Sequence, residues 1–266
     1  MIVNKFRALL SRATGIPITV TSKAFDTPLK FRVNCRDNVS RHIAKYGGYE
    51  LRLTKHLRDL VRTTDTSGLF IDIGANVGWY SLNFAKLKQI DRVVAFEPDL
   101  KNYTSLIKNI DLNADEKIVA LPFAVGDKSS FASLYRYKVS NQGHNSLLED
   151  YGLGSRQVPV FPLDKVLELL EFQDKPVKAI KIDVEGYEVP VLDGASRTLA
   201  KAEIVQTELS PGLLEKNGNN TGDILKRMKK FGFMPNQMAP DGKLQRVSDA
   251  TIRDAVVQTD IIWTRD

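Results

Sequence analysis

The stretch Leu69-Phe-Ile-Asp-Ile-Gly-Ala-Asn-Val-Gly-Trp-Tyr80 decides how this chain is read. Leu69 to Ile73 is apolar, rich in branched side chains and too short for a typical helix, which predicts a buried parallel strand. Gly74 and Gly78 then allow a tight turn and close approach of a ligand to backbone. The helix expected to begin near Val77 points unpaired N–H groups at that ligand. The spacing Gly74-Ala-Asn-Val-Gly78 departs from the dinucleotide pattern G-x-G-x-x-G, and Asp72 stands just before the turn. A carboxylate there would repel a diphosphate and suits a ligand with a cationic or hydroxyl-bearing head. S-adenosylmethionine, with its ammonium and sulfonium charges, fits that requirement.

Arg92-Val-Val-Ala-Phe-Glu97-Pro98 reads as a second strand ending in an acid about 20 residues beyond the turn, where an α/β nucleotide fold accepts ribose hydroxyls. Strand and helix patterns go on alternating through a helix near 100–110, a strand at 118–121 and a break at Ala124-Val-Gly-Asp127. This predicts an α/β fold with a mostly parallel sheet and helices on both faces. Asp127 would share the carboxyl edge with Asp72 and Glu97, although a Gly-Asp turn needs no such role. A fourth strand, Val177 to Ile182, runs into Asp183-Val-Glu-Gly-Tyr-Glu188, which crowds three acids around a glycine. Glu185 and Glu188 could simply complement a helix dipole, while Asp183, at the strand's very end, is the stronger functional candidate. Glu208 lies near the end of a fifth strand, 222–231 is a basic helix, and 259–264 is a closing strand.

The 266 residues, 42% hydrophobic and 26% charged, suffice for one sizeable folded domain with a small N-terminal addition. We expect a cap region over 1–63, formed by a basic amphipathic helix, two strands around Asp26-Thr-Pro and a helical stretch broken at Gly47-Gly48, and a ligand-binding domain over 64–266. The first helix suits docking onto the domain or a second subunit, or a peripheral membrane contact. A single cysteine, Cys35, excludes an intrachain disulfide and a cysteine-rich zinc site. No apolar run approaches a membrane span and the N-terminus lacks a signal-peptide pattern, so a cytoplasmic location is expected. The net charge of +6 is spread along the chain, and no nucleic-acid partner is expected. The segment 129–149 breaks the alternation, with Ser133-Leu-Tyr-Arg-Tyr as a strand and Asn141 to Ser146 as a polar loop facing the acceptor. His144 in that loop is a candidate base near neutral pH, though a loop histidine is usually just solvated.

Asp72-Ile-Gly-Ala-Asn-Val-Gly78, Phe96-Glu-Pro98, Ala124-Val-Gly-Asp127, Asn141 to Ser146 and Lys181-Ile-Asp-Val-Glu-Gly-Tyr-Glu188 together resemble the FkbM family of S-adenosylmethionine-dependent methyltransferases, over about residues 48–235. The resemblance implies a Rossmann-like methyltransferase sheet of seven strands with the last antiparallel, and O-methylation of a hydroxyl on a sugar, glycan or polyketide-like acceptor. It further implies that Asp72, Gly74, Asn76 and Gly78 surround the methionine part of the donor, Glu97 binds ribose and Asp127 lies near adenine. Asp183 and Glu185 would face the reacting end. Asp183 is then the first choice for taking the acceptor's proton and His144 the second. Asp183 and Glu185 could hold magnesium, but no further ligand set is apparent, and no metal is expected. An RNA methyltransferase is the alternative reading, weakened by the absence of a Pro-Pro aromatic motif at the fourth strand. A nicotinamide-dependent oxidoreductase is disfavoured by the turn spacing.

Overall fold

The computed structural model describes residues 2–138, 145–239 and 243–265. The chain opens with α1 (Ile2–Thr14), a hairpin of β1 (Ile18–Ser22) and β2 (Leu29–Val33), then α2 (Asn38–Tyr46) and α3 (Leu51–Arg62). Asp37 caps α2 by accepting from the Ser40 amide at 2.9 Å, and Gly47 ends it in the left-handed region at φ 78°. The expected alternation follows: β3 (Gly68–Ile73), α4 (Trp79–Ala85), β4 (Ile90–Phe96), α5 (Leu100–Leu112) and β5 (Ile118–Leu121). Next come β6 (Ala124–Val125), β7 (Ser130–Tyr135), β8 (Ser155–Phe161), α6 (Leu163–Leu169), β9 (Val177–Ile182), α7 (Glu188–Asp193), α8 (Ser196–Lys201) and β10 (Ala202–Leu209). The chain closes with α9 (Pro211–Lys216), α10 (Thr221–Lys230), β11 (Met234–Met238), β12 (Leu244–Arg246), α11 (Asp249–Arg253) and β13 (Thr259–Thr264).

The main sheet has the order β12-β11-β13-β10-β9-β3-β4-β5, eight strands among the described residues rather than the seven expected. β5, β4, β3, β9 and β10 run parallel, β13 reverses between β10 and β11, and β12 folds back on β11 as an added edge strand. Its three residues, Leu-Gln-Arg, are too few to carry an alternation signal. Order reverses at β3, with β4 on one side and β9 on the other, so the carboxyl ends of these strands frame a crevice. Both faces are covered. Leu69, Ile71, Ile73, Ile180, Val205 and Trp263 enter one core, while Phe70, Val93, Ala179, Ile204 and Ile262 enter another.

The second core is completed by the N-terminal segment, which contributes Leu29, Phe31, Ile43, Leu57 and Val61. The attachment is also polar: Arg32 and Lys30 of β2 donate their amides to Asn109 of α5 and to Asn113, which caps that helix, at 2.7 and 2.9 Å, and Asn109 in turn donates to the Val77 carbonyl at 2.8 Å. Strand β2 thus has its free edge satisfied by a helix that also braces the glycine turn. Within segment 129–149, residues 130–135 form β7 of a separate three-stranded sheet, β6-β8-β7, displaced toward residue 130 from the expected position. Its middle strand holds Pro159, opposite Phe131 of β7, and pairs with β6 only at Val160 and Phe161. No helix among the described residues is long and apolar enough to cross a membrane.

Candidate active site

The glycine turn ties three strand ends together. The amides of Gly74 and Ala75 both donate to the Phe96 carbonyl, at 3.0 and 2.9 Å, and Gly74 sits at φ 85° with no room for a side chain: a Cβ would stand 2.0 Å from the Asp183 carbonyl oxygen. Only glycine satisfies both the conformation and the approach. Asn76 follows in the left-handed region, and its amide donates to Glu97 Oε2 at 2.8 Å; the Asp99 amide serves Oε1 at the same distance. Burial pushes the Glu97 carboxyl up to about 8, outweighing the two amide bonds that favour its ionised form.

Asp72 is fully buried, and its Oδ2 accepts from the Ser81 amide and hydroxyl at 2.9 and 2.5 Å. Helix α4 begins at Trp79, two residues later than expected, and Asp72 occupies one of the amides that sequence reasoning left for a ligand. Asp72 Oδ1 has no protein partner among the described residues. Gly78, at φ 88°, serves packing, since a Cβ there would meet Leu106 Cδ1 at 2.6 Å.

A crevice at this edge is lined by Gly74, Asn76, Glu97, Asp183, Glu185 and Tyr187. Asp72, Gly78 and Asp127 do not line it, and Asp127 is exposed. Asn145 and Leu147 line it from the polar-loop segment; His144 lies outside the described residues.

Sequence reasoning missed how many other charged groups converge near Asp183. Lys181, the register partner of Asp72 across β9 and β3, is buried, donates to Asp183 Oδ2 at 2.9 Å and stands 5.0 Å from the Tyr80 ring centroid. Burial alone would lower its pKa, but Asp183, Asp72 and Glu50 together hold it above the ordinary lysine range. Tyr80 donates to Glu50 Oε2 at 2.7 Å. Glu208 and Asp260 face each other directly across β10 and β13, an unfavourable placement of like charges. Burial first, then neighbouring acids, raises Glu50 and Glu208 and brings Asp260 to about 7. Asp183, Glu185 and Glu208 each offer a carboxylate oxygen within 4.8 Å of the others, so Glu208 supplies the third group of a set able to hold a cation. Only its place at the end of the fifth strand could have signalled this.

A second cavity, lined by His42, Tyr46, Glu50, Arg52, Gln237 and Asp260, shares a wall with the first through the Tyr80–Glu50 hydrogen bond.

Fold and crevice define an α/β protein with a pocket at the carboxyl edge of its sheet. Residues 72–235 match the methyltransferase FkbM domain, and the chain belongs to that family of S-adenosylmethionine-dependent methyltransferases. It is 26% identical over 192 residues to the hexuronic acid methyltransferase AglP of Haloferax volcanii, covering 66% of this chain and 77% of that protein. Solved structures similar to it include the methyltransferase FkbM of Methylobacillus flagellatus (TM-score 0.46, 15% identity, 79% of this chain), of whose length the chain spans 50%. Another is SMU.1697c of Streptococcus mutans in complex with SAH (TM-score 0.46, 9% identity, 81% of this chain and 98% of that one).

Proposed function

We propose that the chain methylates a hydroxyl of a sugar or glycan acceptor, with Asp183 taking the hydroxyl proton. The observation that carries this reading is the convergence of acids where the two cavities meet: Asp183, Glu185 and Glu208 group together, Glu50 and Asp260 line the neighbouring cavity, and Lys181 pairs with Asp183. Carboxylate and carboxyl groups hydrogen-bond the hydroxyls of a polyol, which suits a sugar acceptor. The relative named for hexuronic acid supports the sugar class.

The residues present fit the methyl donor. Gly74 and Asn76 line the crevice and offer close backbone approach, and Glu97, held by two amides, suits ribose hydroxyls; Asp72, fully buried and outside the crevice lining, suits an ammonium only through its charge. S-adenosylmethionine, when bound, supplies an electrophilic methyl group on a sulfonium. The chain's own part is to align the acceptor with that group and to remove one proton. Lys181 fixes the Asp183 carboxylate by the 2.9 Å bond, so that the other oxygen is left to accept the hydroxyl proton. The second cavity, floored by Glu50 and Asp260 and bearing Tyr46 and Arg52 at its mouth, receives the acceptor. Asp127 remains assigned to the adenine end only through its charge on Tyr187, which lines the crevice.

A second reading, favoured by the 4.8 Å grouping of Asp183, Glu185 and Glu208, gives the acceptor oxygen to a divalent cation held by these three. Transfer of label from S-adenosylmethionine to an alkyl glucuronide, compared with the alkyl glucoside, tests the acceptor class, and repeating it with chelator tests the cation. Labelled glycoside is the expected product. Label appearing only in RNA would overturn the reading, and loss of activity with chelator, restored by magnesium, would make Asp183 a cation ligand, with the cation acidifying the acceptor hydroxyl and the proton passing to water.

A further inference from the structure

Helix α1 is mounted with its apolar side outward. One hundred degrees per residue places Phe6, Leu9, Leu10 and Ala13 on one side of the helix and Ala8 and Ser11 roughly opposite. The small residues face the domain: Ala8 packs against the core beneath, and buried Ser11 accepts from the Cys35 amide at 3.2 Å through its hydroxyl. Arg36 Nη2 fastens the helix end by donating to the Ala13 carbonyl at 2.8 Å. Phe6, Leu9 and Leu10 are left 68%, 65% and 54% exposed, and Ile16, just beyond the helix, is 65% exposed. A helix that served only to cover the domain would turn this stripe inward.

Charge identifies what covers it. Arg7 and Arg12, both exposed, flank the stripe on its two sides. Residues 1–36 hold Lys5, Arg7, Arg12, Lys23, Lys30, Arg32 and Arg36 against one acid, Asp26, which is paired with Arg62 and Arg58. Two copies of the chain meeting through this face would bring equal positive patches together. Nucleic acid would match the charge and leave three large apolar side chains without a partner. An anionic lipid surface satisfies both, with the stripe entering the acyl boundary and the arginines at the headgroups.

We propose that α1 is a membrane-surface anchor that docks the enzyme on anionic lipid. The helix packs on α2, which also lends Val39 to the first cavity and His42 and Tyr46 to the second. Docking therefore places the element shared by both cavities next to the lipid-bound helix.

Flotation of the full chain with vesicles of phosphatidylcholine alone, or of phosphatidylcholine with phosphatidylserine, tests this. The protein is expected to float with the phosphatidylserine vesicles only, and to be released by salt. Phe6→Ser/Leu9→Ser/Leu10→Ser should lower partitioning by about tenfold or more, and Arg7→Gln or Arg12→Gln by about fivefold each. Unchanged thermal melting and S-adenosylhomocysteine affinity in these variants establish that folding and donor binding are intact. Absence of flotation, equal binding to both vesicle types, or binding untouched by the triple serine variant would overturn the proposal. So would a dimer in sedimentation velocity that the triple variant dissolves, because the stripe would then belong to a second copy.

Discussion

The proposed donor end and the proposed reacting end of the crevice are built in opposite ways. The donor end is local and made of backbone: the turn at Gly74, the Asn76 and Asp99 amides and the Glu97 carboxylate they hold all fall within residues 72–99. The reacting end is assembled from side chains on separate elements, Glu50 before α3, Tyr80 on α4, Lys181 on β9, Glu208 on β10 and Asp260 on β13. Local backbone sites tolerate little change in shape and much in charge; the dispersed cluster should behave in reverse. Opposed Glu208 and Asp260 illustrate the cost accepted there, since a sheet built only for stability would not place acids directly across from each other.

The largest expected effect follows from shape at the donor end. Gly74→Ala forces a Cβ into the Asp183 carbonyl at 2.0 Å, in a conformation alanine disfavours at φ 85°. Stability should fall by about 3 kcal/mol or more, read from denaturant midpoints. A variant of near-native stability would mean that β3 and β9 separate easily, and the rigid half of the comparison would be lost.

Charge at the reacting end ranks next. Asp183→Asn keeps the shape and should reduce turnover by about a hundredfold to ten-thousandfold, with S-adenosylhomocysteine affinity unchanged by calorimetry. Lys181→Met removes the hydrogen bond that orients Asp183 and should give a smaller turnover loss of about ten- to a hundredfold, again with donor affinity retained. Equal loss of donor affinity in both variants would merge the two ends into one cooperative unit.

The same contrast explains what could be read in the sequence. Asp72 to Gly78 and Glu97 carry their meaning in spacing, because the strand, turn and helix that position them are contiguous. Glu208 and Asp260 become neighbours only through the antiparallel pairing of β10 with β13, and Glu50 meets Tyr80 across the packing of the N-terminal segment. No local period encodes those contacts. Lys181 was visible as a lysine inside an apolar strand, an exception to burial rules, yet its partners Asp72 and Asp183 follow from register between β3 and β9. The role of Asp72 in holding Ser81 was hidden for another reason: an acid before a glycine turn can face either a ligand or the following helix, and here one oxygen serves the helix.

Glu97 joins the two modes, a side chain held by local backbone. Its carboxyl, raised by burial from 4.5 to about 8, is protonated in the unliganded enzyme at neutral pH. A carboxylate accepts a ribose hydroxyl more strongly than the acid does, so donor affinity should improve as pH rises through about 8. Folding of the ligand-free chain takes up a proton between about 4.5 and 8, and this contribution to stability is present at low pH and lost as pH rises through about 8. Glu97→Gln should weaken S-adenosylhomocysteine binding by about tenfold and flatten both pH dependences. A pH-sensitive affinity that survives the substitution would assign the titration to another group.

Asp127 marks where the donor end stops. It is exposed and outside the crevice, and its charge, after burial, raises the pKa of the Tyr187 phenol that lines the crevice. Charges acting through solvent-exposed positions are screened, so Asp127→Asn should change S-adenosylhomocysteine affinity by less than about threefold, and less still at high salt. Tyr187→Phe, which keeps the ring, separates the routes: if Asp127 acts on the phenol, the small effect disappears in that background. A loss of tenfold or more in Asp127→Asn, independent of Tyr187, would instead show a direct contact with the bound donor. The donor end would then extend past β6 and cease to be a site built mainly from backbone.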